Sequence, residues 1–292
     1  MKAIILNLSA WVMLPIMDGF AKYLSSTLPV LQITWSRYFF TIVITLPIML
    51  FFFRKNLTWT EQPKLQLIRG LLLFCANILF FYSISIISLA KAITLAFIAP
   101  LIVTALSPFL LGEKVGYKRW AAVITGFIGS LIVIRPGFVE LNLASIAALG
   151  TGVLYGFYLI ITRKLHDSDN PLLTLLLTGI VGGVLGSIIM PVVWVSPTIT
   201  EWYMMFAIGF FASLGHLFII LSLRYADASK LAPFGYFEIV TNIIIGYYFF
   251  SHFPDNWTFL GLFIIVSSGI YVWKRETKIK DIFENSILSP LS

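Results

Sequence analysis

The stretch Ala10–Ser26, AWVMLPIMDGFAKYLSS, is apolar apart from one carboxylate, Asp18, one ammonium, Lys22, and its terminal serines. A carboxylate in such surroundings has two kinds of work. It pairs with a base, here Lys22 one helical turn on or Arg37 in the next apolar run, or it binds a cationic group from outside the chain. Glu238 poses the same question in the middle of a later apolar run, with Asn242 one turn further on the same helical face. Lys230, the nearest base in that run, lies two turns away. Glu238 therefore holds a proton, meets a cation, or bonds another helix as a neutral acid. Tyr155, Tyr158 and Thr162 recur at i, i+3 and i+7, and Asn77 and Phe81 at i and i+4. Such rows pack helices together, or offer ring faces and an amide edge to a planar base. His216 stands alone among apolar and small neighbours, where a satisfied polar contact is its expected role.

The elements that position these groups follow from composition. Of 292 residues, 59% are hydrophobic and 11% charged, and the mean hydropathy is +0.94. Soluble domains carry roughly 25% charged residues, so the chain reads as an all-α integral membrane protein. Cys75 is the single cysteine, and the three histidines form no pair at ligand spacing, so no metal or other cofactor is expected. Phosphate-loop, nucleophile-elbow and His-Glu-x-x-His patterns are missing, which argues against an enzyme. The net charge of +7 is explained by basic cytoplasmic loops rather than by a nucleic-acid partner.

Ten apolar runs are long enough for membrane helices: about 3–24, 31–53, 66–87, 91–111, 117–134, 143–163, 171–194, 202–223, 229–251 and 257–273. The breaks carry Pro, Gly or charge. With both termini cytoplasmic, sixteen of the twenty basic residues fall on the inside, Arg69 among them, and four on the outside. Asp18 then lies in the outer half of span one, and Arg37 enters span two from outside. The first run, starting after Lys2, reads as a retained span rather than a cleaved leader.

The halves resemble each other. SLAKAITLAFIAPLIVTALSPFLLGEKVGYKRW aligns with DASKLAPFGYFEIVTNIIIGYYFFSHFPDNWTF, so that Lys91 faces Lys230, and DGF in span one meets Tyr155–Phe157 in span six. Five spans per half make the second half enter from the opposite face. The predicted organisation is two inverted repeats, 1–136 and 142–275, with a polar tail at 276–292. That architecture places a solute site between the halves. Lys91 and Lys230 are then either a pair of gates, one for each access state, or ordinary snorkelling lysines. In span seven, Gly179 and Gly183, and Gly182 and Gly186, form two close-approach pairs. These serve packing within the bundle or a dimer interface, which leaves the oligomeric state open.

PLIVTALSPFLLGEKVGYKRWAAVITGFIGSLIVIRP and YFEIVTNIIIGYYFFSHFPDNWTFLGLFIIVSSGIYVWKRE are similar to the paired signatures of EamA-type drug/metabolite transporters. His252 departs from the glutamate usual there, so no role shared with Glu113 is carried over. LPIMDGFAKYLSSTLPVLQITWSRYFF most resembles the S-adenosylmethionine uptake carriers of obligate intracellular bacteria. The resemblance implies a multi-pass carrier of the bacterial inner membrane, with a small-molecule solute and the lipid bilayer as its partners. It further implies that Asp18 and Glu238, with Asn242, serve the solute's cations, that Arg37 or a lysine serves its carboxylate, and that Asn77, Tyr155 and Tyr158 serve its adenine.

Overall fold

A computed structural model describes residues 2–52, 60–110, 117–134, 142–165, 170–225, 234–235, 237–268 and 270–271. Among them there is helix and no strand. The helices are α1 (Lys2–Leu24), α2 (Val30–Phe52), α3 (Pro63–Ile86), α4 (Leu89–Ala96), α5 (Ala99–Leu110), α6 (Tyr117–Ile134), α7 (Leu143–Lys164), α8 (Pro171–Val193), α9 (Ile199–Tyr225) and α10 (Phe237–Phe250). A last helix, α11 (Asn256–Ser268), follows. Six of them, α1, α2, α3, α7, α8 and α9, are long and apolar enough to cross a membrane, and the remaining apolar helices are shorter.

The bundle buries polar and charged side chains within an apolar core and exposes large apolar ones. Arg37, Arg69, Asp18, Asn242 and His216 are buried, whereas Phe51, Val192 and Phe249 are exposed. Hydrocarbon solvates apolar side chains and leaves buried polar groups to satisfy one another. The helix starts carry local signals. Asn142 and Asn170 cap α7 and α8 by accepting from the amides of Ala144 and Leu172. Thr198 and Glu201 exchange hydrogen bonds as a capping box at α9.

The predicted fourth span is two helices, because the chain turns at Phe97 and Ile98. Pro100 has no N–H to offer the Ala96 carbonyl and sits in the first turn of α5, where that lack costs least. Ser88 caps α4 by accepting from the Lys91 amide, which settles where span three gives way to span four. In the alignment of the halves Ile98, just before α5, faces Phe237, where α10 begins after a 3-10 turn at Phe234 and Gly235. Glu238 therefore lies in the first turn of its helix, not mid-helix as the 229–251 run implied.

Helix contacts keep their pattern when the halves are exchanged. α1 packs on α9 as α3 does on α7, α2 on α9 as α3 on α8, and α1 on α10 as α4 and α5 on α7. α2 pairs with α8, α4 with α10, and α6 with α11 across Gly129 and Gly261. The span-seven glycines all face α2: a Cβ on Gly182 would stand 2.4 Å from Tyr38 Cγ, and one on Gly186 2.9 Å from Trp35 Cδ1. They are packing residues inside the bundle. Tyr38 is 1% exposed and cannot retreat. Gly182→Ala is therefore expected to lower stability by about 1–3 kcal/mol, read as a fall in melting temperature of the detergent-solubilised protein.

One proline aligns the site. Pro15 has no N–H, which leaves the Trp11 carbonyl without its helical partner. Thr241 Oγ1 of α10 donates to that carbonyl at 2.8 Å. The bond docks α10 on α1 beside Asp18 and brings the neighbouring Asn242 with it.

Candidate solute site

Polar side chains from seven helices converge in the bundle. Arg37 on α2 donates from Nε to Met17 Sδ at 3.4 Å and from Nη2 to His216 Nε2 at 2.7 Å. Its guanidinium lies 4.8 Å from the centre of the Tyr38 ring. Arg69 on α3 donates from Nε to Thr162 Oγ1 (2.8 Å), from Nη1 to Thr178 Oγ1 (2.5 Å) and the Thr174 carbonyl (3.2 Å), and from Nη2 to Tyr158 OH (2.8 Å). The Tyr158 oxygen is also 3.5 Å from His216 Nδ1. Both guanidiniums thus rest on neutral acceptors, and among the described residues no carboxylate lies within ion-pair distance of either. Arg37, Arg69, Tyr158, Thr178 and His216 line a cavity of about 10 Å³, roughly the room of one water.

A second buried polar group, from α1 and α10, stands near Arg37. Asp18 is 2% exposed and Asn242 fully buried. Asp18 Oδ1 and Asn242 Oδ1 have no hydrogen-bond partner among the described residues. Asn242 Nδ2 donates to the Glu238 carbonyl at 3.1 Å and lies beside the Asp18 carboxylate, which also feels the charge of Arg37. Glu238, half-buried, is close enough for its charge to bear on both Asp18 and Tyr155. An acceptor of this kind left without a donor costs about 1–3 kcal/mol, a cost that an arriving cation removes.

Asp18, Arg37, Tyr155, Tyr158, Glu238 and Asn242 are thus brought together from both halves. The expected i,i+4 pair of Asp18 and Lys22 does not form: Lys22 Nζ donates to the carbonyls of Ile84 at 2.6 Å and Ile87 at 3.0 Å. It caps the last turn of α3, where helix carbonyls lack partners. Asn77 is committed too, since its Nδ2 donates to Tyr38 OH at 2.7 Å and to the Leu73 carbonyl at 2.6 Å. Tyr155 and Tyr158 stack on each other at 5.2 Å and 19°. A planar ring would use the outer face of Tyr155 or part the pair. Lys91 is half-buried at the start of α4, while Lys230, Glu113 and the end of the tail lie outside the described residues.

One member, Arg69, escaped the sequence reading, and a second, His216, makes the polar contact expected of it. Arg69 counted as a cytoplasmic-side charge, yet it is 1% exposed. Its signal was its place inside the apolar run QLIRGLLLF, with hydroxyls recurring as Thr174 and Thr178 on a later helix. His216 is more than a lone polar contact, because it joins the two arginines through Tyr158.

Helices of membrane length, apolar outside and with buried charged and polar groups inside, are the pattern of a multi-pass membrane protein. Residues 1–135 and 142–273 match the EamA-like transporter family, and the chain belongs to that family. The chain is 28% identical over 261 residues to the S-adenosylmethionine uptake transporter of Rickettsia bellii, covering 89% of each chain. It is 29% identical over 277 residues to the riboflavin transporter of Vibrio cholerae, covering 93% of this chain and 92% of that one. It is 26% identical over 261 residues to the pseudopaline exporter of Pseudomonas aeruginosa, covering 87% and 90%. A solved crystal structure shares the fold, with a TM-score of 0.65 at 16% identity over 91% of this chain and 94% of that chain. The chain is thus a multi-pass transporter of the bacterial inner membrane.

Proposed function

We propose that this chain imports S-adenosylmethionine by alternating access, as two inverted five-helix repeats with ten spans and both termini in the cytoplasm. The observation that supports the reading is the burial of Asp18, with an unpartnered oxygen, near Arg37, which has no carboxylate at ion-pair distance among the described residues. Asp18, Glu238 and Asn242 form the acceptor group and Arg37 heads the donor group. S-adenosylmethionine offers an ammonium and a sulfonium to the first and a carboxylate to the second. Tyr155 presents a ring face to its adenine. The matching contact pattern of the halves and the helix starts at Ala99 and Phe237, one residue apart in the alignment, support the repeat arrangement. A solute of this size needs a few hundred Å³, so the closed cavity must open by movement of the halves, with Lys91 and Lys230 as gates at opposite ends. Exchange against S-adenosylhomocysteine is a drive consistent with import.

Cells making the protein are expected to take up labelled S-adenosylmethionine, with excess S-adenosylhomocysteine blocking uptake. No uptake above empty vector at equal membrane expression ends the reading. Export of an amino acid or another small metabolite is the second reading, favoured by the likeness to the pseudopaline exporter. Under it, S-adenosylhomocysteine leaves transport untouched.

A further inference from the structure

The hydrogen bonds around His216 have one consistent direction. A guanidinium carries only N–H donors, so His216 Nε2, 2.7 Å from Arg37 Nη2, must accept. A neutral imidazole that accepts at Nε2 carries its proton on Nδ1, the nitrogen that faces the Tyr158 oxygen. Tyr158 in turn accepts from Arg69. A protonated His216 would set an N–H against an N–H and add a third positive charge between two guanidiniums. The charged and titratable groups around it are Arg37 and Tyr38 on α2, Arg69 on α3 and Tyr158 on α7.

The consequence falls on Arg37. Of its five N–H donors, one rests on the Met17 thioether and one on His216. No further side-chain hydrogen bond of Arg37 at contact geometry is made among the described residues; Tyr38 lies against the guanidinium, and both line the cavity. The thioether is a weak acceptor, so the imidazole is the strong contact that fixes the plane of the guanidinium.

We propose that His216 is a positioning residue that sets the solute specificity of the carrier: by accepting from Nη2 it aims the remaining donors of Arg37 as a fork for a carboxylate on the solute. The inference rests on the reading above, in which Arg37 receives the carboxylate. A planar guanidinium discriminates for carboxylates only when its orientation is held.

The test compares binding of S-adenosylmethionine with that of its analogue lacking the carboxylate, using purified full-length protein whose folding is checked by melting. Wild type prefers the carboxylate form, and Arg37→Gln abolishes the preference. His216→Gln, whose amide oxygen reaches the place of Nε2, keeps the preference within about threefold. His216→Asn, too short to reach, loses about tenfold of it while holding the decarboxylated probe as wild type does. A merely structural histidine would weaken both probes together, and that outcome overturns the proposal. An unchanged preference in His216→Asn overturns it too, while Arg37→Gln alone still upholds the reading of Arg37. An unchanged preference in Arg37→Gln removes that reading and the inference with it, and a wild type that binds neither probe removes both. Should the Asn variant fail to fold, His216→Phe gives the same comparison.

Discussion

Asp18→Asn is expected to cut S-adenosylmethionine affinity at least about a hundredfold, roughly 2.8 kcal/mol, while raising the melting temperature of the solute-free protein. Hydrogen bonds to a charged partner contribute about 1.5–3 kcal/mol each, and Asp18 Oδ1 is buried without a hydrogen-bond partner among the described residues. The amide keeps the shape and removes a buried charge that no contact ion pair balances among the described residues. A functional residue held at a cost to stability behaves in this way. Melting curves with and without solute separate the alternatives. If the Asn variant melts lower and still gains stability from solute, Asp18 is a structural counter-charge for Arg37 and the acceptor group is not the cation subsite.

Arg69→Met is expected to destabilise the protein by about 3 kcal/mol or more, and Arg69→Lys to recover little of it. Arg69 ties α3 to α7 and α8 through four hydrogen bonds, and its removal leaves their acceptors buried without donors. An ammonium is a point donor and cannot span Thr162, Thr178 and Tyr158 as the planar fork does. Thermal unfolding in detergent reads the loss. A lysine variant as stable as wild type would mean that charge alone, not the fork, holds these helices.

Much of the architecture was legible in the chain. Apolar runs and their proline and glycine breaks follow from transfer free energies that act residue by residue, and six of the runs stand as helices of membrane length. The site was half legible. Asp18, Arg37, Glu238 and Asn242 stood out because charge and amide are costly in an apolar run, and they do converge. Arg69 did not stand out, since an arginine near a helix end reads as a cytoplasmic anchor until the hydroxyls of α7 and α8 are seen to enclose it. Asn77 stood out as a base reader, yet Tyr38 and a backbone carbonyl take its donors. The glycines of α8 carried two readings, which the position of α2 resolves.

The sequence by itself determined that this is a polytopic helical protein with carboxylates and guanidiniums buried in it, because burial of apolar length is a one-dimensional property. Only the tertiary structure decided which of those charges meet. It turned Lys22 away from Asp18 to the end of α3, used the carbonyl freed by Pro15 to dock α10, and placed His216 between two arginines. Partner choice among buried polar groups depends on distances of a few ångströms between helices far apart in sequence, and no spacing along one chain encodes those distances.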